Sequence, residues 1–309
     1  MKFFAASLTS LALMLNASIV TADSVLFIGN SFTYGYGSAV KYYRPDSVTD
    51  LNSQGIGGVP ALFKAFADQA GLELDVFLET EPGSNFDFHL NNKRGIIGRR
   101  PWDIVVLQGH STLDSDDHGN PDKLVATTAQ MSELLSTRNP EVDIFLTATW
   151  SRADMTYQPN HVWSGKPIEQ MALDLRAGYE KAANNAQGVV SVSPVGEAWT
   201  EAMTLGLADD NPYDGLEYGK IDLWTFDHYH ASAYGSYLEA LVVFGNVTGL
   251  DPRSLGANEC AGFELGMRNT VVAGLQEAAF RQLAADGRVS AAPLAVPTGV
   301  QAQACTPSR

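Results

Sequence analysis

The chain has 309 residues, a formal net charge of −15 and a pI near 4.7, and 45% of its residues are hydrophobic. A chain this acidic repels phosphate backbones, and Arg99–Arg100 is a pair rather than a basic patch, so nucleic acid is excluded as an expected partner. Two cysteines, Cys260 and Cys305, are too few for a disulfide scaffold or a Cys-rich zinc module. Outside the cytoplasm they could form one disulfide tying the C-terminal tail to the domain.

Lys2, the apolar stretch from Phe3 to Val20, and Thr21–Ala22 have the layout of a signal peptide over residues 1–22, cleaved near Ala22. The stretch is short for a membrane span and carries Ser7, Thr9, Ser10 and Asn16, so no stable membrane insertion is expected. The mature protein is then secreted or periplasmic, with one α/β domain over 23–286. Five short apolar runs predict buried strands: Val25–Ile28, Leu74–Leu78, Ile104–Leu107, Val142–Ala148 and Val189–Val192. Helical spacing follows in Leu62/Phe63/Phe66/Ala70, Leu124/Met131/Leu134/Leu135, Ile168/Met171/Leu175/Tyr179 and Tyr237/Leu238/Leu241/Phe244, with a last helix near 263–285. Strands alternating with helices predict a five-stranded parallel sheet covered on both faces, with right-handed crossovers. Residues 35–58 and 207–222 fit no regular element, and a loop as long as the first is usually functional or mobile. Residues 287–309, rich in Ala, Pro, Val, Thr and Gln, read as a weakly ordered tail.

Sites on open parallel sheets form at the carboxyl ends of the strands. After the first predicted strand comes Gly29-Asn30-Ser31-Phe32-Thr33. Ser31 is either a helix cap or a nucleophile whose own N–H faces a developing anion. After the second comes Glu81-Pro82-Gly83-Ser84-Asn85, where Gly83 can bring a backbone N–H close to a ligand or simply turn the chain. After the third comes Gln108-Gly109-His110-Ser111, where the Gln108 amide either donates to an oxyanion or satisfies loop carbonyls. After the fourth, Trp150 and Arg152 either line the mouth of a site, with His110 and Trp224, or serve packing and an ion pair. Near the C-terminal end, Asp227-His228-Tyr229-His230 places a carboxylate three residues before an imidazole, so one loop can present a base and its orienter. Asp227, His228 and His230 could instead ligate a metal, but no fourth donor with its own spacing accompanies them. His89 and His161 have no partner visible in the sequence.

Together these residues resemble the SGNH (GDSL-like) hydrolase superfamily. Gly29-Asn30-Ser31 matches its first block, and Asp227-x-x-His230 followed by Ala231-Ser232-x-x-Gly235 matches its last. The resemblance implies a three-layer α/β/α flavodoxin-like fold and ester hydrolysis through an acyl-serine. It implies a triad of Ser31, Asp227 and His230, with no metal or organic cofactor. It also implies an oxyanion hole from the Ser31 and Gly83 N–H groups and a third-block amide. The usual Gly-x-Asn of the third block is absent, so the third donor falls on Gln108, with Ser111 the alternative position. Thr33 stands where the ordinary α/β-hydrolase elbow needs glycine. The expected substrate is a small-molecule or carbohydrate ester with a short acyl group. Tyr36, Tyr42, Tyr43, Trp150, Trp163 and Trp224 near predicted loops could hold a sugar ring or an acyl chain. A non-catalytic carbohydrate-binding protein on a hydrolase scaffold and a metal-dependent phosphoesterase are the rival readings.

Overall fold

In the computed structural model, residues 22–290 are described. The signal segment over 1–21, most of the tail, and Cys305 with its proposed pairing to Cys260 lie outside the described residues. Successive residues of a strand face opposite sides of a sheet, and here both sides are apolar. The strands are β1 (Asp23–Gly29), β2 (Thr49–Asp50), β3 (Leu74–Thr80), β4 (Ile104–Leu107), β5 (Asp143–Ala148) and β6 (Val189–Pro194). All pairings are parallel, in the order β2-β3-β1-β4-β5-β6. The helices are α1 (Gly58–Gln69), α2 (Phe86–Asn92), α3 (Arg94–Ile97), α4 (Asp122–Ser136), α5 (Ala153–Tyr157), α6 (Ile168–Asn184), α7 (Val195–Thr204), α8 (Ala233–Thr248), α9 (Cys260–Glu264) and α10 (Asn269–Ala285).

Val25, Phe27, Val106 and Phe145 pack with α1, α7, α8 and α10 on one face. Leu26, Ile28, Val105, Leu107, Ile144 and Leu146 pack with α2, α3, α4 and α6 on the other. This is the expected three-layer α/β/α arrangement, and the five anticipated strands take the flavodoxin order. The sheet has six strands rather than five. The sixth, β2, pairs Thr49 with Phe77 and Asp50 with Leu78 at the edge. Two residues have no hydrophobic period, so nothing in the sequence announces this strand. Asp50 then anchors the loop after it, accepting the N–H groups of Asn52 and Gln54 at 2.9 and 2.8 Å. The start of the expected tail is also packed: the Arg288 N–H donates to Leu283 O at 2.8 Å, and Val289 is buried.

β1 lies between β3, paired from Asp23↔Leu74 to Gly29↔Thr80, and β4, paired from Val25↔Ile104 to Ile28↔Leu107. The loops after these three strands therefore end at one level, where the chain order reverses and sites form. Among the described residues, no helix is long and apolar enough to cross a membrane.

Helix α8 runs against the sheet with most of its circumference buried, capped by Ser232 at its start and by Gly249 at φ +71° at its end. It carries Glu239, which faces a small closed void beside Phe27, Thr33, Val106 and Thr147. Its Oε2 has no hydrogen-bond partner among the described residues. Burial pushes this carboxyl well above the usual range, so it stays protonated in the folded protein. The unfolded chain loses that proton near pH ~4.3, so above this pH unfolding releases a proton and the folded state loses ground as pH rises. Glu239→Gln, which cannot ionise, is therefore expected to be more stable than the wild type at pH 8 in urea denaturation. The gap should shrink toward pH 4; a gap independent of pH would show that Glu239 is not the titrating group.

Candidate active site

β1 ends at Gly29, where a Cβ would sit 2.1 Å from Thr33 Oγ1 and 2.9 Å from Gln108 Oε1. Only glycine lets the next residues fold back this tightly. The Tyr34 N–H donates to Asn30 O at 3.1 Å and the Tyr36 N–H to Ser31 O at 3.0 Å, which holds Ser31 in a tight turn at the strand mouth. Behind it, Gln108 Oε1 accepts the Asn30 N–H at 3.1 Å and the Thr33 hydroxyl at 2.9 Å. The amide fits only this way round, because reversing it would set Nε2 against the Asn30 N–H. Asn30 Nδ2 donates to Ser84 O at 2.9 Å and Gly109 O at 3.1 Å, and its Oδ1 accepts the Phe32 N–H at 3.1 Å.

The loop before α8 brings the other two triad residues to this turn. Ser31 Oγ lies 2.9 Å from His230 Nε2, and His230 Nδ1 lies 2.7 Å from Asp227 Oδ2. Asp227 Oδ1 accepts the Thr225 hydroxyl and the N–H groups of Tyr229 and His230 at 2.7 to 3.0 Å. His228 takes φ +54°, the left-handed bend that aims both N–H groups back at the carboxylate. Burial alone would raise the Asp227 carboxyl, but hydrogen bonds from His230, Thr225 and Tyr229 together bring it down to about 2. Burial lowers the His230 imidazole, and the Asp227 carboxylate only partly offsets this. At neutral pH the pair is therefore a neutral imidazole backed by an ionised carboxylate, the state a general base requires.

Two backbone donors are open. Neither the Ser31 nor the Gly83 N–H has an acceptor among the described residues. Gly83 takes φ +65° in the turn Glu81-Pro82-Gly83-Ser84, closed by the Ser84 N–H on Glu81 O at 3.3 Å. Proline second and glycine third is the type II pattern. One Gln108 Nε2 proton goes to Gly109 O, and the side chain is buried behind the Ser31 turn. Ser111 Oγ accepts from Arg152 Nη1 at 3.3 Å.

Arg152 stands beside the triad, its guanidinium 3.6 Å over the Tyr229 ring, whose centroid is 3.9 Å from that of His230. It is also clamped by Asp154, at 2.6 Å from Nη2. Burial, with Arg152 adding to it, lowers His110 to about 4, so this imidazole is neutral. The tryptophans are not substrate platforms. Trp150, Trp163 and Trp224 are buried, as is Tyr43, and the three indole N–H groups find acceptors inside the protein. Trp150 Nε1 donates to Tyr229 O at 3.1 Å and Trp224 Nε1 to Ser151 O at 3.0 Å, so both brace the His230 loop from below. The exposed aromatics near the triad are Tyr36, 42% exposed with its ring 4.6 Å from His230, and Phe226, 78% exposed beside Asp227. Phe226 escaped sequence reasoning, although its place next to Asp227 was a signal.

Among the described residues, no group of three or more His, Cys, Asp or Glu side chains is arranged to hold a metal ion. Asp227 spends both oxygens on His230 and its neighbours, and the ring of His228 packs against Tyr213, 4.4 Å between centroids. His89, without a visible partner in the sequence, lies between Glu79 and Ser84 in the core.

No family model matches the chain, and no curated protein matches it. Among solved structures it is similar to a DUF4886 family protein from Bacteroides uniformis, at 18% identity and a TM-score of 0.59, covering 87% of this chain and 98% of the other. It is also similar to a protein classed as a GDSL-like lipase from Parabacteroides merdae, at 16% identity and a TM-score of 0.50, covering 74% and 95%. The chain shares the fold of these two proteins.

The acid limb of kcat/KM on an ester is expected to have its midpoint below pH ~6.5, the ordinary histidine value, because His230 must be neutral to act and its environment lowers it. A limb centred above pH 7 would mean that another group titrates.

Proposed function

We propose that the protein is a carboxylic ester hydrolase that works through an acyl-Ser31 intermediate. The observation that carries this reading is the unbroken chain Asp227–His230–Ser31, with bonds of 2.7 and 2.9 Å. In it, Ser31 Oγ attacks the ester carbonyl carbon while His230 Nε2 takes its proton, and Asp227 holds the imidazole tautomer and balances the resulting charge. The carbonyl oxygen becomes an oxyanion stabilised by the Ser31 and Gly83 N–H groups, with Gln108 as third donor. His230 returns the proton to the departing alkoxide. Water, deprotonated by His230, then attacks the acyl group and restores Ser31. Each oxyanion donor is worth ~3 kcal/mol of barrier.

The substrate we infer is a short-acyl ester, with acetylated carbohydrate the favoured class. Tyr36, whose half-exposed ring lies 4.6 Å from His230, and exposed Phe226, next to Asp227 in the chain, support this as rings on which a sugar can stack. The N-terminal pattern of residues 1–22 supports action outside the cytoplasm.

Ser31→Ala is expected to abolish hydrolysis of p-nitrophenyl acetate with the circular dichroism spectrum unchanged. A fluorophosphonate should label Ser31 in the wild type. Retention of more than a few per cent of activity would reduce Ser31 to a turn residue. In the same assay EDTA should leave the rate unchanged, and p-nitrophenyl phosphate should not be turned over; the opposite pattern favours the phosphoesterase reading.

The third donor is tested separately. Gln108→Ala is expected to lower kcat by ~10²–10³ with a smaller change in KM, and Ser111→Ala to cost much less. If Ser111→Ala is the crippled variant and Gln108→Ala is near wild type, the hole is built from the later part of that loop.

A further inference from the structure

A second Ser–His–carboxylate relay lies buried behind the first. Glu79 near the end of β3 and His89 in α2 are fully buried, and Ser84 nearly so. His89 Nδ1 contacts Glu79 Oε2, and His89 Nε2 lies 2.8 Å from Ser84 Oγ. The other Glu79 oxygen accepts from Asn52 Nδ2 at 3.2 Å and stands 3.7 Å from Lys93 Nζ. The direction of the Ser84 bond follows from counting protons. Ser84 Oγ lies 2.9 Å from Glu81 O, which can only accept, so the single hydroxyl proton goes there. His89 Nε2 is then the donor to Ser84, and Nδ1 the donor to Glu79.

Ser84 is the closing residue of the type II turn that carries Gly83, and it closes that turn twice, through its N–H and through its hydroxyl on Glu81 O. Its carbonyl accepts from Asn30 Nδ2 at 2.9 Å, next to Ser31. A shift of Ser84 therefore moves the Gly83 N–H and the nucleophile turn relative to each other.

We propose that Glu79, His89 and Ser84 form a buried positioning relay that fixes the Gly83 N–H as an oxyanion donor. This inference rests on the esterase reading above. The three are positioning residues: the relay touches no substrate and acts through the peptide between Pro82 and Gly83. An oxyanion donor must sit within a few tenths of an ångström of the place where charge develops, and a misplacement of ~1 Å costs ~10²-fold in rate. A glycine turn has little stiffness of its own, so the stiffness comes from what holds Ser84.

The experiment compares Ser84→Ala, His89→Leu and His89→Gln with wild type and Ser31→Ala on p-nitrophenyl acetate. Active sites are counted by fluorophosphonate labelling run to completion, so misfolded protein does not enter kcat. Ser84→Ala and His89→Leu are expected to lower kcat per labelled site ~10- to 100-fold, with KM within about twofold of wild type. His89→Gln keeps a donor toward Ser84 Oγ and should recover most of the loss. Should His89→Leu fail to fold, Ser84→Ala, which removes a single oxygen, decides the matter. A merely structural relay would lower the number of labelled sites and leave kcat per site unchanged, which overturns the proposal. So does a His89→Gln variant as slow as His89→Leu. Wild-type turnover that survives in Ser31→Ala, or no turnover in the wild type, sinks the esterase reading and this inference together. Turnover lost in Ser31→Ala but intact per site in Ser84→Ala sinks the inference alone.

Discussion

The side-chain amide of Asn30 holds the site together. It sits between the last residue of β1 and Ser31, and its two N–H bonds reach Ser84 O after β3 and Gly109 O after β4. The sheet order makes this possible, because β1 is flanked by those two strands and all three loops end at one level. Without Asn30, two buried carbonyls would lose a partner, at a cost of ~1–3 kcal/mol each. An aspartate there would have only acceptors to offer two carbonyls, so the chemistry of the neighbours selects the amide. Gln108 completes the clasp from behind by taking the Asn30 N–H and the Thr33 hydroxyl. The Ser31 turn, the Gly83 turn and the third loop are therefore tied into one body.

The base is held by different means. Asp227 uses one oxygen for the imidazole and the other for three local donors, which fixes its rotamer before any substrate arrives. The loop around it is braced by two indole N–H groups and by the Ser232 hydroxyl on Asp222 O at 2.7 Å. Phe32 stacks on Trp150, and Trp150 on Trp199, at 4.3 and 4.5 Å between centroids, so the floor under Ser31 and His230 is a column of aromatic rings. Such a floor excludes water from below and keeps the local dielectric low, where a fixed dipole or charge acts more strongly. Phe32, Trp150 and Trp199 thus serve the site through packing and polarity from beneath it.

That difference marks where the sequence can and cannot be read. The strands were legible because a parallel sheet covered on both faces needs unbroken apolar runs, and Ile104–Leu107 coincides with β4 residue for residue. Edge strand β2 was not, since two residues pairing on one side carry no pattern. The Ser31, Asp227 and His230 assignments drew on order and position along the chain, and the fold brings these three together. Tryptophan near a predicted loop carried no information about which way it faces. That depends on the packing around it, a tertiary fact: Trp199 is buried even though its N–H has no acceptor among the described residues. Glu79 was a readable signal left unused. It directly follows the apolar run Leu74–Leu78 in a strand buried at that end; a buried carboxylate must find a partner or neutralise, and a histidine ten residues on is a natural one.

The two relays use nearly the same residue types, and they differ in where the serine hydroxyl proton can point. The Ser84 hydroxyl donates its hydrogen bond to a backbone carbonyl, Glu81 O at 2.9 Å, so its imidazole partner donates to it. Ser31 Oγ has no acceptor other than His230 Nε2 among the described residues, so its proton goes toward the ring. The difference lies in the carbonyl oxygens: Glu81 O at 2.9 Å and Gly29 O at 3.5 Å face the Ser84 hydroxyl, whereas none is in hydrogen-bond reach of Ser31 Oγ among the described residues. Burial reinforces the contrast. Ser31 lies at a strand mouth beside exposed Tyr36, whereas the imidazole that serves Ser84 is sealed between β3 and α2. The same three functional groups thus sit in two different settings, told apart by where the hydroxyl proton can go.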